Sequence, residues 1–184
     1  MRLFVGIPLA GPVIEELTAA VARLRLQADD LRWPGPETWH VTLQFLGNTS
    51  EYDCIVGCLR DVRALPVPVA LEGFGMFERA GIFYVGIHLT PELRKLQETV
   101  VAATGRCGFV PETRPYHPHI TLARSKGKNL RALRGLKASL EQKPKFSTFV
   151  AEDFLLYESH IRAGGSQYEI RERFPLVSPT SPRP

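Results

Sequence analysis

Long hydrophobic runs are missing from this sequence. A helix that crosses a membrane needs about 20 consecutive apolar residues, and no run in the chain approaches that length. The chain opens on a short stretch, Met1 to Val5, that is similar to the start of a signal peptide, but Pro8 and Pro12 interrupt the apolar run and no convincing cleavage site follows. We therefore expect a first β-strand at these residues, no membrane partner and a location in the cytoplasm.

Cysteine is scarce as well. The three residues, Cys54, Cys58 and Cys107, are odd in number, and their spacing matches no zinc-ligand framework. This argues against a small disulfide-rich scaffold and against a zinc-finger class, and we expect three buried, reduced thiols. The sequence also shows no cluster of carboxylates that would hold a cation, so we expect neither a metal nor another cofactor.

The excess of positive charge is small. The chain has 23 Lys and Arg against 19 Asp and Glu, a net charge of +4 and a pI near 9.1. This balance suits an anionic substrate but does not by itself indicate nucleic-acid binding. With 184 residues and 44% hydrophobic composition, the chain can bury a real interior. We expect one domain over residues 1–177 and a disordered tail over 178–184.

The sequence does contain one four-residue pattern twice, His40-Val41-Thr42-Leu43 and His119-Ile120-Thr121-Leu122. Side chains alternate between the two faces of a strand, so each tetrad would present an imidazole and a hydroxyl on one face and two apolar side chains on the other. Given a histidine, the rest of the pattern occurs by chance about once in a thousand cases. Two copies among five histidines therefore indicate function.

The repeat extends beyond the tetrads. Phe4 to Leu9 resembles Tyr84 to Leu89 at an offset of 80 residues, and the tetrads are offset by 79. Between strand and tetrad, each half has an amphipathic segment that predicts a helix, about Pro12 to Asp29 and about Pro91 to Thr104. Each half thus reads as strand, helix, histidine strand. We expect an α+β fold, bilobal and pseudo-symmetric, with mainly antiparallel sheets, flanking helices and a cleft between the lobes.

Shorter patterns predict the remaining elements. The first part has a helix from Glu51 to Leu65, a strand from Val67 to Leu71 that Phe74 to Phe77 extends, a turn at Glu78 to Gly81 and a strand from Ile82 to Leu89. A basic helix is predicted from Lys128 to Gln142, with Leu130, Leu133, Leu136 and Leu140 facing inward. Phe149 to Glu158 and Gln167 to Phe174 form a predicted hairpin, and its loop contains His160 and Gly164-Gly165.

Two facing tetrads could perform acid–base chemistry on a phosphate. Histidine has an ordinary pKa close to neutrality, so one imidazole of a pair can accept a proton while the other donates one. The two threonine hydroxyls can donate hydrogen bonds to non-bridging phosphate oxygens and stabilise the charge that grows there. This chemistry requires no metal.

Around these tetrads the sequence resembles the two-histidine (2H) phosphoesterase superfamily, and within it the RNA 2′,3′-cyclic phosphodiesterase or 2′–5′ RNA ligase family. The matching stretches are Arg32-Trp33, Trp39 to Gly47, Arg114 to Arg124 and Tyr157-Glu158-Ser159. With the opening strand, the likeness spans about residues 1 to 177. It implies hydrolysis of RNA 2′,3′-cyclic phosphate ends to 2′-phosphomonoesters, a weak reverse 2′–5′ ligation, and a monomer that acts on tRNA fragments or short oligonucleotides.

The resemblance also implies individual roles. His40 would be the proton donor to the departing 3′ oxygen and His119 the proton acceptor from water, although the sequence gives no orientation and leaves the two roles interchangeable. Thr42, Thr121 and Arg124 would bind phosphate. Strict alternation puts Arg124 on the opposite face from His119, so we expect a bulge or the end of the strand to redirect it.

Other side chains have two interpretations each. The candidate substrate contacts are Phe45, Tyr116 and His160. Four aromatic rings could stack on a base, those of Trp33, Trp39, Phe45 and Tyr116. The alternative for each of these side chains is packing within the protein. His117 would share a face with His119 in a continuous strand and could form a metal pair with it. Pro115 and Pro118 instead place His117 in the approach to the strand, which favours a structural role. The basic stretch 124–137 either tracks an RNA backbone or is solvated.

Two other functions stay open. The same site could act on cyclic nucleotide-sugar phosphates or 2′–5′ oligonucleotides, or the chain could be an RNA-binding module without turnover. The intact tetrads favour an enzyme.

Overall fold

A computed structural model describes residues 1–126, 131–162 and 165–177. These residues form strands β1 (Arg2–Pro8), β2 (His40–Asn48), β3 (Val67–Val69), β4 (Leu71–Phe77), β5 (Ile82–Ile87), β6 (His119–Arg124), β7 (Phe149–Ala151), β8 (Asp153–Arg162) and β9 (Gly165–Pro175), and helices α1 (Gly11–Arg25), α2 (Tyr52–Arg60), α3 (Pro91–Gly105) and α4 (Arg131–Arg134). Among them, no helix is long and apolar enough to cross a membrane.

The strands form three sheets. One has four strands in the order β2-β1-β8-β9, one has three in the order β4-β5-β6, and a small one pairs β3 with β7. Every pairing between these strands is antiparallel. The predicted α+β class with antiparallel sheets is therefore confirmed.

The predicted strand–helix–strand repeat is present as β1–α1–β2 and β5–α3–β6. Each helix has a proline in its first turn, Pro12 as the second residue of α1 and Pro91 as the first residue of α3, where the fixed φ of proline is favourable. The Thr90 hydroxyl also caps α3 by accepting a hydrogen bond from the Leu93 amide at 3.1 Å. Both helices bury one face in the core, with Val13, Leu17, Ala20 and Leu24 on α1 and Leu93, Leu96, Val100 and Ala103 on α3.

Strand pairing differs from the sequence alignment of the two halves. In the alignment, Phe4 corresponds to Tyr84. In the sheets, Tyr84 pairs with Thr121, but the residue that pairs with the equivalent Thr42 is Gly6 and not Phe4. The pairing is thus shifted by two residues. Because side chains alternate with a period of two, this shift keeps every side chain on its predicted face.

Several element boundaries differ from the sequence predictions. Helix α2 ends at Arg60 instead of Leu65, in a segment that Pro66 and Pro68 follow. Strand β7 pairs with β3 and is not part of the C-terminal hairpin. His160 lies within β8, paired with Gln167, and not in the hairpin loop.

The predicted basic helix is shorter than expected. Gly135 follows α4 and favours its end, and a 3₁₀ turn at Lys137–Glu141 continues the segment. Leu133 and Leu136 are buried as predicted, but Leu140 is exposed. Lys128 to Leu130, Gly164 and the predicted tail 178–184 lie outside the described residues.

The expectation of three reduced cysteines is wrong. Cys54 and Cys107 form a disulfide, and Cys58 is a free, half-buried thiol. The two bonded cysteines are 53 residues apart, in α2 and in the turn after α3. They meet because α2 packs against α3, a tertiary contact that cysteine spacing alone does not show.

Candidate active site

The two tetrads lie on strands at the edges of different sheets. Strand β2 ends the four-stranded sheet, β6 ends the three-stranded sheet, and the two strands lie against each other. In both tetrads the histidine and threonine are half-buried, while the residues that alternate with them, Val41 and Leu43, Ile120 and Leu122, are buried. The predicted division of the tetrads into two faces is therefore confirmed.

A hydrogen bond fixes the tautomer of each histidine in the same way. Nδ1 of His40 lies 2.8 Å from the carbonyl oxygen of Thr38, and Nδ1 of His119 lies 2.8 Å from that of His117. A carbonyl only accepts hydrogen bonds, so Nδ1 is the nitrogen that carries the proton when the ring is neutral. The Nε2 atom of each ring remains to accept a proton or, once protonated, to donate one.

A bulge interrupts each histidine strand at the same place. In β2, Gly6 pairs with Thr42 and Val5 with Gln44, which leaves Leu43 unpaired. In β6, Tyr84 pairs with Thr121 and Phe83 with Ala123, which leaves Leu122 as the extra residue. A bulge inverts the alternation of the residues after it.

The bulges return Phe45 and Arg124 to the faces of their strands that carry the histidines. In each strand the two residues after the threonine are buried in succession, and the third, Phe45 or Arg124, is exposed. The sequence predicted a bulge or the end of the strand at Arg124, and the structure shows both, because Arg124 follows the bulge and is the last residue of β6. The two halves are equivalent in geometry and different in chemistry, because one half places an aromatic ring where the other places a guanidinium.

Aromatic rings surround His40. Its ring centroid lies 4.6 Å from that of Phe4, 5.7 Å from that of Tyr157 and 5.2 Å from that of Tyr168. Gly6 provides the remaining space, since a Cβ there would lie 3.3 Å from Cδ2 of His40. The loss of water around this imidazole lowers its pKa to about 4, against the weaker opposing effect of the bond to Thr38.

His119 has a similar but more open surrounding. Its ring lies 5.0 Å from Phe77 and 5.2 Å from Tyr84 between centroids. Burial lowers the pKa of His119 below its ordinary value, against the weaker opposing effect of the bond to the His117 carbonyl, and the neighbouring His117 and Arg124 side chains lower it further. In the free protein both catalytic candidates therefore favour the neutral form at neutral pH. This differs from the two imidazoles of ordinary pKa that the sequence predicts.

Arg124 belongs to the same electrostatic environment as both histidines. Its charge lowers the pKa of His40 and of His119, and His119 also lowers that of His40. The backbone of Arg124 is held by two hydrogen bonds to Arg32, at 2.8 and 2.9 Å between nitrogen and oxygen. Three groups that can carry positive charge thus act on one another, which is the arrangement that an anion such as a phosphodiester would stabilise.

The other aromatic candidates differ in what they can do. The Tyr116 hydroxyl donates to the Thr42 carbonyl at 2.9 Å and ties the approach to β6 onto β2. The Trp33 indole donates to the Ala28 carbonyl at 2.9 Å, and Trp39 is buried. Phe45 contacts Phe4, with 5.8 Å between ring centroids, but is 60% exposed and is therefore the candidate whose ring is most accessible to a base.

His160 and His117 have partners within the protein. Nε2 of His160 lies 3.1 Å from the Glu169 carboxylate and 4.0 Å from that of Glu158. Nε2 of His117 lies 3.1 Å from the Tyr84 hydroxyl.

Sequence reasoning missed the rings that surround the two histidines. Tyr157 and Tyr168 come from the C-terminal hairpin, and Phe77 comes from the end of β4. Phe4 and Tyr84 carried a signal as aromatic residues at matching positions of the repeat, and Tyr157 carried one as part of a stretch that resembles the family.

Comparison with known proteins gives consistent matches. The model of the 2′-5′ RNA ligase superfamily matches residues 10–160. An Aeropyrum pernix protein named RNA 2′,3′-cyclic phosphodiesterase is 38% identical over 104 residues, which are 53% of this chain and 59% of that protein. A Geobacillus stearothermophilus protein of the same name is 29% identical over 184 residues, which cover 92% of this chain.

The matched region spans 59% and 56% of the length of these two relatives, less than two thirds of each. A solved phosphoesterase structure superposes with a TM-score of 0.82 at 25% identity and covers 96% of this chain and 98% of that one. The family model covers most of the chain, and the resemblance inferred from the paired tetrads is confirmed: the chain belongs to the 2′-5′ RNA ligase superfamily.

Proposed function

We propose that this chain hydrolyses 2′,3′-cyclic phosphate ends of RNA to 2′-phosphomonoesters by acid–base catalysis with His40 and His119. The observation that carries the proposal is the pair of imidazoles on adjoining edge strands, each with its Nε2 free of the backbone bond that holds Nδ1. The names of the relatives, RNA 2′,3′-cyclic phosphodiesterases, support the same reaction.

The reaction divides between the two rings. Nε2 of His119 accepts a proton from water as the water oxygen attacks phosphorus. The bond between phosphorus and the 3′ oxygen breaks, and protonated His40 donates its Nε2 proton to that oxygen. His119 ends protonated and His40 neutral, so solvent must exchange both protons before the next turnover. The choice of the 3′ oxygen rests on the family resemblance.

Negative charge on the phosphate is met by hydrogen-bond donors and by one guanidinium. The Thr42 and Thr121 hydroxyls lie on the same face as the histidines and donate to the non-bridging oxygens, and Arg124 balances their charge. An anionic phosphodiester also favours the protonated form of a nearby imidazole. Substrate binding thereby offsets part of the depression that burial imposes on the pKa of His40.

Phe45 recognises the base next to the cyclic phosphate. Its exposed ring occupies the position equivalent to Arg124 in the other half, and an exposed ring can stack on any base. Tyr116, in contrast, positions the backbone of Thr42. His160 is held by a hydrogen bond to Glu169 and has no role in this assignment.

The proposed enzyme is a monomer with one domain. Residues 1–177 act as one bilobal domain, monomeric and cytoplasmic, with the cleft between the tetrad strands open to RNA fragments. Weak 2′–5′ ligation is the same ring opening with the 5′ hydroxyl of a second RNA in place of water: that oxygen bonds to phosphorus, the bond to the 3′ oxygen breaks, and a 2′–5′ phosphodiester results. Light scattering after gel filtration should give the mass of one chain.

A substrate panel tests the proposal. Cyclic-ended RNA, 2′,3′-cyclic mononucleotides, a cyclic nucleotide-sugar phosphate and a 2′–5′ oligonucleotide are each incubated with the protein in EDTA, and phosphorus NMR identifies the products. We expect turnover of the cyclic ends to 2′-phosphates. A 3′-phosphate product would reverse the docking, turnover of another substrate alone would change the function, and binding without turnover would favour an RNA-binding module.

A further inference from the structure

The three cysteines form a cluster that the proposed reaction does not use. Cys54 and Cys58 are four residues apart on α2 and so lie one above the other on the same helix face. Cys107, in the turn after α3, is bonded to Cys54, and its Sγ lies 3.4 Å from the Sγ of Cys58. All three sulfur atoms lie within 4.8 Å of one another.

We propose that this cluster is a thiol–disulfide exchange site. The Cys58 thiolate attacks the Cys107 sulfur, a Cys58–Cys107 bond forms, the Cys54–Cys107 bond breaks, and Cys54 leaves as the thiolate. The step moves one disulfide and one proton, and it requires no external oxidant or reductant. It reverses by the same path.

The positions of the two α2 cysteines favour release of Cys54. Cys54 lies in the first turn of α2, where the helix dipole stabilises negative charge, and Cys58 lies near the last turn, where the dipole opposes it. Cys54 is also exposed, whereas Cys58 is half-buried. Exchange therefore converts a sheltered thiol into an accessible one.

The exchange leaves the fold crosslinked throughout. Cys107 remains bonded to α2 in both forms, so α2 and the end of α3 stay joined. Arg106 holds the same turn in place, since its guanidinium donates to the Cys58 carbonyl at 3.3 Å and to the Asp61 carboxylate at 3.2 Å. Neither helix has to unfold for the bond to move.

The released Cys54 thiolate then reacts with a small disulfide such as glutathione disulfide. Its sulfur bonds to one glutathione sulfur, and the other glutathione leaves as a thiolate. The cluster is thus a modification site for low-molecular-weight disulfides. A metal is a weaker interpretation, because the disulfide occupies two of the three sulfur ligands.

The test is to locate the adduct. The oxidised full-length protein is incubated with glutathione disulfide, quenched in acid to stop exchange, and digested. Cys54 and Cys58 share one tryptic peptide, because no Lys or Arg lies between them, so tandem mass spectrometry must assign the adduct. Cys58→Ser and Cys54→Ser are the matched variants, with circular dichroism as the check on folding.

We expect one glutathione on Cys54 of the unsubstituted chain, and at least a ten-fold loss of adduct in Cys58→Ser, which retains the Cys54–Cys107 bond but has no attacking thiol. Cys54→Ser should form the Cys58–Cys107 disulfide. An adduct on Cys58, no adduct at all, or two free thiols in folded Cys54→Ser would each overturn the proposal.

Discussion

Each candidate catalytic histidine has one ring nitrogen committed to the protein and one left for substrate. The backbone bonds of Nδ1, at 2.8 Å in both rings, prevent the ring flip that would exchange the two nitrogens. The same side-chain geometry therefore suits either the acid or the base. Substrate orientation decides the role of each ring, since two equivalent imidazoles can exchange roles in the reverse reaction.

Removing either imidazole should abolish most of the hydrolysis. We expect His40→Ala and His119→Ala each to lower kcat by roughly 10²–10⁴-fold, the usual loss when general acid or base catalysis is removed. His88→Ala is the matched control, because the His88 side chain is exposed and contacts Glu72, which has no part in the proposed reaction. Rates on cyclic-ended RNA would measure this. Near-normal turnover in either folded variant contradicts a two-histidine mechanism.

The pH dependence should differ between free enzyme and complex. Burial lowers the pKa of His40 to about 4 and lowers that of His119 in the free protein, and a bound phosphodiester anion raises both. The profile of kcat/KM reports the free enzyme, and that of kcat reports the complex. We expect two bell-shaped curves, with the kcat/KM optimum at lower pH. Initial rates across the pH range test this, and a kcat/KM optimum above that of kcat contradicts it.

Phe45 should affect binding of the base and not the chemistry. Stacking of one base is worth about 1–3 kcal/mol, so Phe45→Ala should raise KM for cyclic-ended RNA roughly 5- to 150-fold with little change in kcat. Ribose 2′,3′-cyclic phosphate, which has no base, should show no such change. Ile170→Ala serves as a control for removal of an exposed apolar side chain. Equal effects on both substrates would exclude stacking.

The strands show which parts of the site a sequence can predict. Period-two alternation predicted the two faces of the tetrads. The need to redirect Arg124 predicted a bulge or a strand end, and the structure places the bulge at Leu122. The contacts of Tyr157 and Tyr168 with the His40 ring could not be anticipated, because these rings reach His40 only through the strand order β2-β1-β8-β9. Strand order and helix contacts, including the one that joins Cys54 to Cys107, depend on long-range packing.

The close pairing of β1 and β2 makes Gly6 a positioning residue for His40. A Cβ at Gly6 would lie 3.0 Å from the Val41 carbonyl oxygen and 3.3 Å from Cδ2 of His40, so Gly6→Ala should displace the imidazole. We expect kcat to fall on the order of ten-fold with KM little changed.

Gly57→Ala is the control for the Gly6 substitution. Gly57 is exposed in α2 and nothing lies within 4 Å of its Cβ position, so this variant should keep full activity and gain about 0.5–1 kcal/mol of stability. An unchanged kcat in Gly6→Ala would contradict a role of Gly6 in positioning His40. So would a fall in kcat that a loss of folded protein fully accounts for.

Across the whole molecule, a site built from buried neutral imidazoles reduces stability in acid. The unfolded chain protonates His40 near its ordinary pKa of 6.5, whereas the folded chain resists protonation until about pH 4. Between these values the unfolded state binds more protons, so stability falls as the pH decreases. After allowance for the half-buried position of the ring, His40 should account for a loss on the order of 2 kcal/mol across this window. The lowered pKa of His119 acts in the same direction.

Denaturant unfolding of the oxidised protein at several pH values between 7 and 4.5 would measure this dependence, with His40→Gln as the variant that cannot titrate. Carboxylates titrate in both proteins and cancel in the difference, which isolates the imidazole. We expect the unsubstituted chain to lose more of its unfolding free energy than His40→Gln over this range, and added phosphate to reduce the gap by favouring the charged ring in the folded state. If the unfolding free energy of the two proteins changed with pH in the same way, His40 would have to stay hydrated in the folded protein. The kcat/KM optimum would then not lie at lower pH than the kcat optimum.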